Sequence, residues 1–300
     1  MDPIAGTLRP QAPDGSTSTA ARLEGGELIS FASCPFALPD GAERTFLFEQ
    51  RLDGTEPRHI GYDPRACRSY GCVLGDGVHA GRLEQVLAQS GVEASRWLQG
   101  FCPSYRGGIE LEYIAFHPEE EATRKRGILE RHDLLHIDVP ADHGDGRRLL
   151  RLYANLHPTD ARVWQTSLLF AQLLDRFGSQ VGLPGPAEAG WWRPLRRGLR
   201  RLLQGGHAGA APFEGFMLRL HDFLKQHDGF QERAPKKCWQ LGPGAGWLVF
   251  TDGVAHAELR GRFVLEFAFR VAQHTLACPE LSPYAQFERA CGLVTKSHAA

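Results

Sequence analysis

Apolar positions change their period several times along the 300-residue chain, and each change predicts a different element. From Glu27 to Gln50, short apolar runs broken by Pro and Gly predict strands and turns. Residues 80–101 carry helical spacing at Leu83, Val86, Leu87, Val92, Trp97 and Leu98, so one or two helices are expected, ended by Pro103. Strand character resumes over Ile109–Phe116 and dominates the block from Leu134 to Trp164. Within that block, Leu150, Leu152, Ala154 and Leu156 alternate with Arg151, Tyr153 and Asn155. The apolar face would meet covering helices and the polar face would line a cavity, although an ordinary half-exposed antiparallel strand gives the same pattern. Residues 165–230 read as mainly helical, with a break at Gly182–Gly190 and with Met217, Leu220 and Leu224 as core. Strands return from Cys238 to Val271 around a glycine-rich turn at Gly242–Gly246. Strands on both sides of a long helical insertion predict an α+β protein built on a double-stranded β-helix, a jelly roll of the cupin type.

Composition narrows the classes. With 42% hydrophobic residues the chain can bury a sizeable core. One elaborated β-rich domain over 23–300 fits the length as well as two domains would, after a flexible tail over 1–22. The formal net charge of −1 implies no general attraction to nucleic acid. Seven cysteines without CxxC spacing read as reduced thiols of a cytoplasmic protein, with neither a disulfide frame nor a zinc site. The first residues lack the apolar core of a signal peptide, and no apolar run is long enough to span a membrane. One segment departs from this balance. Trp191–Leu203 holds five arginines and no acid, with Leu195, Leu199 and Leu202 on one helical face. That is the composition of a membrane-surface helix, and equally of a solvated helix or an arginine-lined wall.

Candidate chemistry centres on Leu135-His-Ile-Asp-Val139. In a strand His136 and Asp138 would project to one face, and an imidazole with a carboxylate on one wall makes two thirds of a 2-His-1-carboxylate triad, the ligand set of non-haem Fe(II) oxygenases. A second histidine must come from a distant strand. His256, at the end of the apolar run Trp247–Ala255, is the best placed, whereas His221 reads as a structural or surface histidine.

Several motifs then carry a family resemblance over most of the chain: His59-Ile-Gly-Tyr-Asp-Pro64, Ala115-Phe-His-Pro118, Leu135-His-Ile-Asp138, Arg151–Pro158 running on to Arg162-Val-Trp164, Phe216–Asp222 and Trp247–His256. In this order they resemble the bacterial 3-deoxy-D-manno-oct-2-ulosonic acid (Kdo) hydroxylases. The resemblance implies an Fe(II)/2-oxoglutarate-dependent dioxygenase with His136, Asp138 and His256 as ligands, 2-oxoglutarate and O₂ as cosubstrates, and hydroxylation at the 3-position of Kdo on lipid A. It also implies work at the cytoplasmic face of the inner membrane, with residues 191–203 as the expected contact to anionic lipid. For the distal carboxylate of 2-oxoglutarate a basic residue after the second histidine is expected. Arg262 opens a strand and is the first choice, ahead of Arg260 and Arg270, with Tyr153 and Asn155 beside it. Arg151, Arg162, Trp164 and His117 are assigned to substrate, the arginines as carboxylate forks and the indole as a wall for the sugar.

Two features depart from the expected pattern. His117 stands where an arginine is expected, and the loop after Asp138 gains Asp142 and Asp145. Both leave the iron ligands untouched and bear on the substrate, so a 2-oxoglutarate hydroxylase of another glycan or metabolite is the alternative. A non-catalytic cupin-like binding protein and a membrane-associated structural protein are further classes, separated from the first by iron-dependent succinate formation.

Overall fold

A computed structural model describes residues 18–54, 59–73, 77–119, 127–140, 146–183 and 212–292. The basic segment 191–203 and the acids of the 141–145 loop lie outside these residues, as does 1–17 of the expected tail. Thr19–Arg22 belong to a helix, α1 (Thr19–Glu24), whose Ala20 and Leu23 are buried. The carboxylate of Glu24 ties this helix down by accepting from Tyr105 Oη at 2.9 Å and from the backbone N–H of Ala277 at 2.9 Å.

Two antiparallel sheets form the centre. Their strands in chain order are β1 (Ile29–Phe31), β2 (Ile60–Asp63), β3 (Arg68–Tyr70), β4 (Ile109–His117), β5 (Arg148–Asn155), β6 (Arg162–Leu169), β7 (Lys237–Leu241), β8 (Gly246–Phe250), β9 (Val254–Arg260) and β10 (Val264–Val271). The larger sheet runs β1-β8-β5-β10-β4-β2-β3 and the smaller β7-β6-β9. Apart from the β2–β3 hairpin at one edge, neighbouring strands in both come from distant parts of the chain, as in a jelly roll.

The period-two pattern of β5 divides cleanly between layers. Leu150, Leu152, Ala154 and Leu156 pack with Leu83, Val86, Leu87, Ala94 and Leu98 of α3 (Gly77–Phe101), outside the larger sheet. This is a single helix, and it approaches β4 closely at Gly91, where a Cβ would stand 2.6 Å from Ile114 Cδ1. The opposite face of β5 turns inward, and Tyr153 joins Trp247, Val249 and Val264 against Trp164 and Val254 of the smaller sheet. Outside the smaller sheet, Ala255 and Ala257 meet α4 (Phe170–Phe177) and α5 (Pro212–Gln226) through Phe170, Leu173, Phe216 and the expected core residues Met217, Leu220 and Leu224. Emptying one such position, for example Leu152→Ala, costs about 2–5 kcal/mol.

Two expectations are corrected. Gly41–Glu49 is a helix, α2, with Phe46 and Leu47 buried, where strands and turns were expected. The segment 165–169, expected to be helical, continues β6, because its alternate residues Thr166 and Leu168 are buried where the strand pairs with β7 and β9. No helix among the described residues is long and apolar enough to cross a membrane.

Candidate active site

His136 and Asp138 lie in no regular strand. A single bridge pins them, His136 N–H donating to His256 O at 3.0 Å and His256 N–H to His136 O at 2.8 Å. Asp138 N–H in turn donates to Thr251 O at 3.0 Å. Locally extended backbone keeps the alternation, so His136 and Asp138 still project together, beside His256 of β9. Asp138 Oδ1 stands 3.8 Å from Nε2 of both histidines. The three ligand atoms form the one candidate metal cluster among the described residues.

Hydrogen bonds prepare both rings for a metal. His136 Nδ1 lies 2.7 Å from Leu134 O and His256 Nδ1 lies 3.1 Å from Val254 O. A carbonyl only accepts, so each Nδ1 carries the proton and each Nε2 presents its lone pair to the shared centre. Trp164 stacks on the His256 ring, 5.1 Å between centroids and 12° between planes, which fixes its rotation. Burial, and then the neighbouring His256, hold the pKa of His136 well below the ordinary histidine value. Asp138 is also buried, which favours its neutral form, but His256, Arg151 and His136 outweigh that and keep it ionised. Two imidazoles, each presenting Nε2, and one carboxylate make the donor set of a divalent iron with open positions on the far side.

Arg151 borders this centre. Its Nε lies 3.4 Å from Asp138 Oδ2 and 3.3 Å from Glu266 Oε1, its guanidinium rests over the Tyr113 ring, and its Nη1 is buried with no partner. An unpaired buried guanidinium N–H is costly, and a carboxylate beside the metal would satisfy it. Formal charges agree. Asp138, Glu266, Arg151 and a protonated His117 sum to zero, and a divalent cation with a dianionic oxoacid adds nothing net. The residues therefore fit both iron and 2-oxoglutarate.

The other expected site residues point inward but are already engaged, or do not point inward at all. Arg162 is buried against Glu258 and donates to Gly261 O. Trp164 is fully buried behind His256, between Tyr153 and Trp247, so it offers no wall to a sugar. Tyr153 stacks on Trp247 at 4.9 Å. Asn155 spends its amide on the carbonyls of Asp160, Leu241 and Gly242 and accepts from His157 N–H, pinning loops rather than a cosubstrate. Arg262 is exposed in the turn after β9, its guanidinium over Phe263, and does not reach the barrel interior. His221 stands outside this cluster; its Nδ1 pairs with Asp222, and its ring lies 5.5 Å from that of His136.

Glu266 was missed. It takes Tyr113 Oη at 3.1 Å, His117 Nε2 at 2.9 Å and Arg151 Nε, so His117 is committed to this carboxylate. A lone acid in Val264-Leu-Glu-Phe-Ala-Phe, and likewise Glu258 in Val254-Ala-His-Ala-Glu, was the available signal: an acid inside an apolar strand needs a buried partner.

The His117–Glu266 pair has a pH consequence. Around it stand His59 ahead of β2, Tyr113 on β4, Arg151 on β5 and the Arg162–Glu258 pair of the smaller sheet. Burial opposes charging of His117, but the Glu266 hydrogen bond and field prevail, and its pKa rises above 6.5. Burial opposes ionisation of Glu266 too, yet His117 and Arg151 draw it down from 4.5 to about 2. The raised histidine contributes stability that is complete below 6.5 and lost as pH climbs through its folded value. The depressed glutamate contributes above 4.5, and that part is lost as pH falls toward 2. The melting temperature should therefore decline on the alkaline side of 6.5, and His117→Gln should flatten that decline. An identical alkaline slope in both proteins would refute the pairing.

Comparisons with known proteins agree with this geometry. No curated protein sequence matches the chain. Among solved structures, a Kdo hydroxylase KdoO with cobalt(II), a non-haem Fe(II) α-ketoglutarate-dependent dioxygenase, superposes with a TM-score of 0.77 at 26% identity, over 93% of this chain and 90% of that one. KdoO with α-ketoglutarate and Fe(III) gives 0.74 at 27% identity, over 90% and 87%. KdoO with succinate and Fe(III) gives 0.75 at 26%, over 93% and 90%. The profile of the 3-deoxy-D-manno-oct-2-ulosonic acid (Kdo) hydroxylases matches residues 8–293, nearly the whole length, and the chain belongs to that family.

Proposed function

We propose that the protein hydroxylates the Kdo sugar, at its 3-position, while that sugar is attached to lipid A. The reaction class is that of its family and of its centre: an Fe(II)/2-oxoglutarate-dependent dioxygenase acting on Kdo. The observation that carries it is the His136–Asp138–His256 face with both Nε2 lone pairs aimed at one point.

When bound, iron with 2-oxoglutarate supplies the oxidising power that places one oxygen atom of O₂ in a C–H bond, releasing succinate and CO₂. The chain's own residues do the rest. His136, Asp138 and His256 would hold the metal, and Trp164 keeps the His256 ring in place. Arg151, expected on the substrate side, is better placed for a carboxylate of 2-oxoglutarate, since its free Nη1 adjoins Asp138. Glu266 fixes Arg151 from behind, and burial of the imidazoles keeps bulk water from the ligand atoms. Incubation with Fe(II), 2-oxoglutarate and lipid-A-linked Kdo should add one oxygen atom to the sugar by mass spectrometry. Succinate formed without a change in Kdo would transfer the reading to another glycan, the alternative that His117 favours.

A lipid-bound substrate also gives the basic segment a role. Residues 191–203 would dock on anionic lipid, each arginine contributing about 1 kcal/mol, screened by salt. Changing Arg196, Arg197, Arg200 and Arg201 to Gln should release the protein from anionic vesicles in a sedimentation assay. Binding that survives these changes, or that ignores salt, would reject the role.

A further inference from the structure

At the end of the barrel beyond the Arg162–Glu258 pair, a cavity of about 460 Å³ is lined by His157, Thr159, Asp160, Arg260, Gly261 and Arg262. Arg260 lies four residues along β9 from His256, roughly 13 Å at the rise of a strand, so the cavity is separate from the metal centre. None of its side chains takes part in the site described above.

Three features make it a built site for a negative group. The first is His157, whose side chain is only 8% exposed. Its Nδ1 accepts from Thr159 N–H at 3.3 Å and from Asp160 N–H at 2.9 Å, so the proton must sit on Nε2. The nearest acid to that nitrogen, Asp160 Oδ2, is 3.6 Å away, too far for a hydrogen bond. This N–H donor, in the wall of the cavity, has only that long contact to Asp160 and is open to an incoming acceptor. Arg260 and Arg262 supply the second feature. Both are exposed, and neither has a carboxylate partner among the described residues.

The third is the rigidity of the turn that carries them. Gly261 has φ +120°, and a Cβ there would stand 2.8 Å from Arg162 Cδ, so only glycine fits over the buried Arg162 that bonds its carbonyl. Phe263 follows at φ 58°, costly for an aromatic residue, and is held by its N–H to His117 O at 2.7 Å and by stacking on Phe48 at 4.2 Å. The backbone between the two guanidinium groups is thereby fixed before any ligand arrives. Against two permanent positive charges stands one carboxylate, Asp160, whose side chain is 68% exposed and accepts from Thr159 Oγ1 at 2.9 Å.

We propose that this cavity binds an oxyanion, a phosphate or carboxylate group, between Arg260, Arg262 and the Nε2–H of His157. Guanidinium forks and a neutral imidazole donor suit such a group, and the surplus of positive charge disfavours a cation. The group would be carried on the same acidic glycan that reaches the iron centre or would be a free anion.

Inorganic phosphate is the probe. It is titrated into the full-length protein at constant ionic strength while the melting temperature is followed. Phosphate should raise the melting temperature, and the exposed double variant Arg260→Gln/Arg262→Gln should need roughly tenfold more phosphate for the same rise. No rise in the parent, or an equal rise in the variant, would overturn the site. This arm involves no turnover, so it stands or falls apart from the Kdo reading. A second arm separates the sources through the KM of two Kdo glycans, one phosphorylated and one not. Phosphate raising KM only for the phosphorylated glycan places the substrate's own oxyanion in the cavity. An equal effect on both, beside the same shift in melting temperature, assigns the cavity to a free anion.

Discussion

Replacing His136, Asp138 or His256 with Ala is expected to abolish succinate formation and to strip iron from the protein. Each side chain offers one of the three ligand atoms that cluster within 4.8 Å of one another. Losing an outer partner of a metal ligand costs roughly 10–100-fold, so losing a ligand itself should exceed that range. The three variants should differ in stability. His136→Ala and His256→Ala remove buried imidazoles and leave small cavities. Asp138→Ala also takes from Arg151 one of its two carboxylates, so it should be the least stable. Trp164→Phe, which can preserve the stack on His256, should keep its iron. Metal content by elemental analysis beside succinate yield is the measurement, and full iron in His256→Ala would move the third ligand elsewhere.

The metal face was legible because two rules act locally. Alternation puts His136 and Asp138 on one side of an extended chain even where only a single bridge holds it, and His256 sits in Val254-Ala-His-Ala257, whose apolar neighbours make a buried strand. The layered core followed from the same periodicities, with Leu150, Leu152 and Ala154 outward and Tyr153 inward. What the period could not reveal was occupancy. Arg162, Asn155 and Trp164 do face inward as expected, but Glu258, three loop carbonyls and the His256 ring already engage them. Arg262 was misplaced for a different reason. It looks like the first residue of a strand, yet Gly261 and Phe263 both adopt positive φ and swing it to the surface. Such a turn depends on the tertiary fit of Arg162 beneath it, which no local pattern encodes. The helix α2 was hidden similarly, because its three consecutive apolar residues, Phe46-Leu-Phe48, mimic a strand.

Arg151 is where the second large effect is expected. Its guanidinium touches Asp138 and Glu266 and still has one buried N–H to give, so it links the metal ligand to whatever carboxylate lies beside the metal. Arg151→Lys keeps the charge but loses the planar fork, and should weaken 2-oxoglutarate binding by about 10–100-fold, a loss of about 1.4–2.8 kcal/mol. Turnover at saturating cosubstrate should suffer less, so the change should appear in KM more than in kcat. Arg151→Met should do more, because it leaves two buried carboxylates short of a cation; breaking such an arrangement costs about 3–5 kcal/mol, and the melting temperature should fall with it. Removing Glu266 as well, in Arg151→Met/Glu266→Gln, should recover part of that stability and none of the binding. Calorimetric titration of 2-oxoglutarate into the cobalt(II) protein without O₂ reads the affinity directly. An unchanged affinity in Arg151→Lys and Arg151→Met would remove Arg151 from the cosubstrate and return it to the sugar acid.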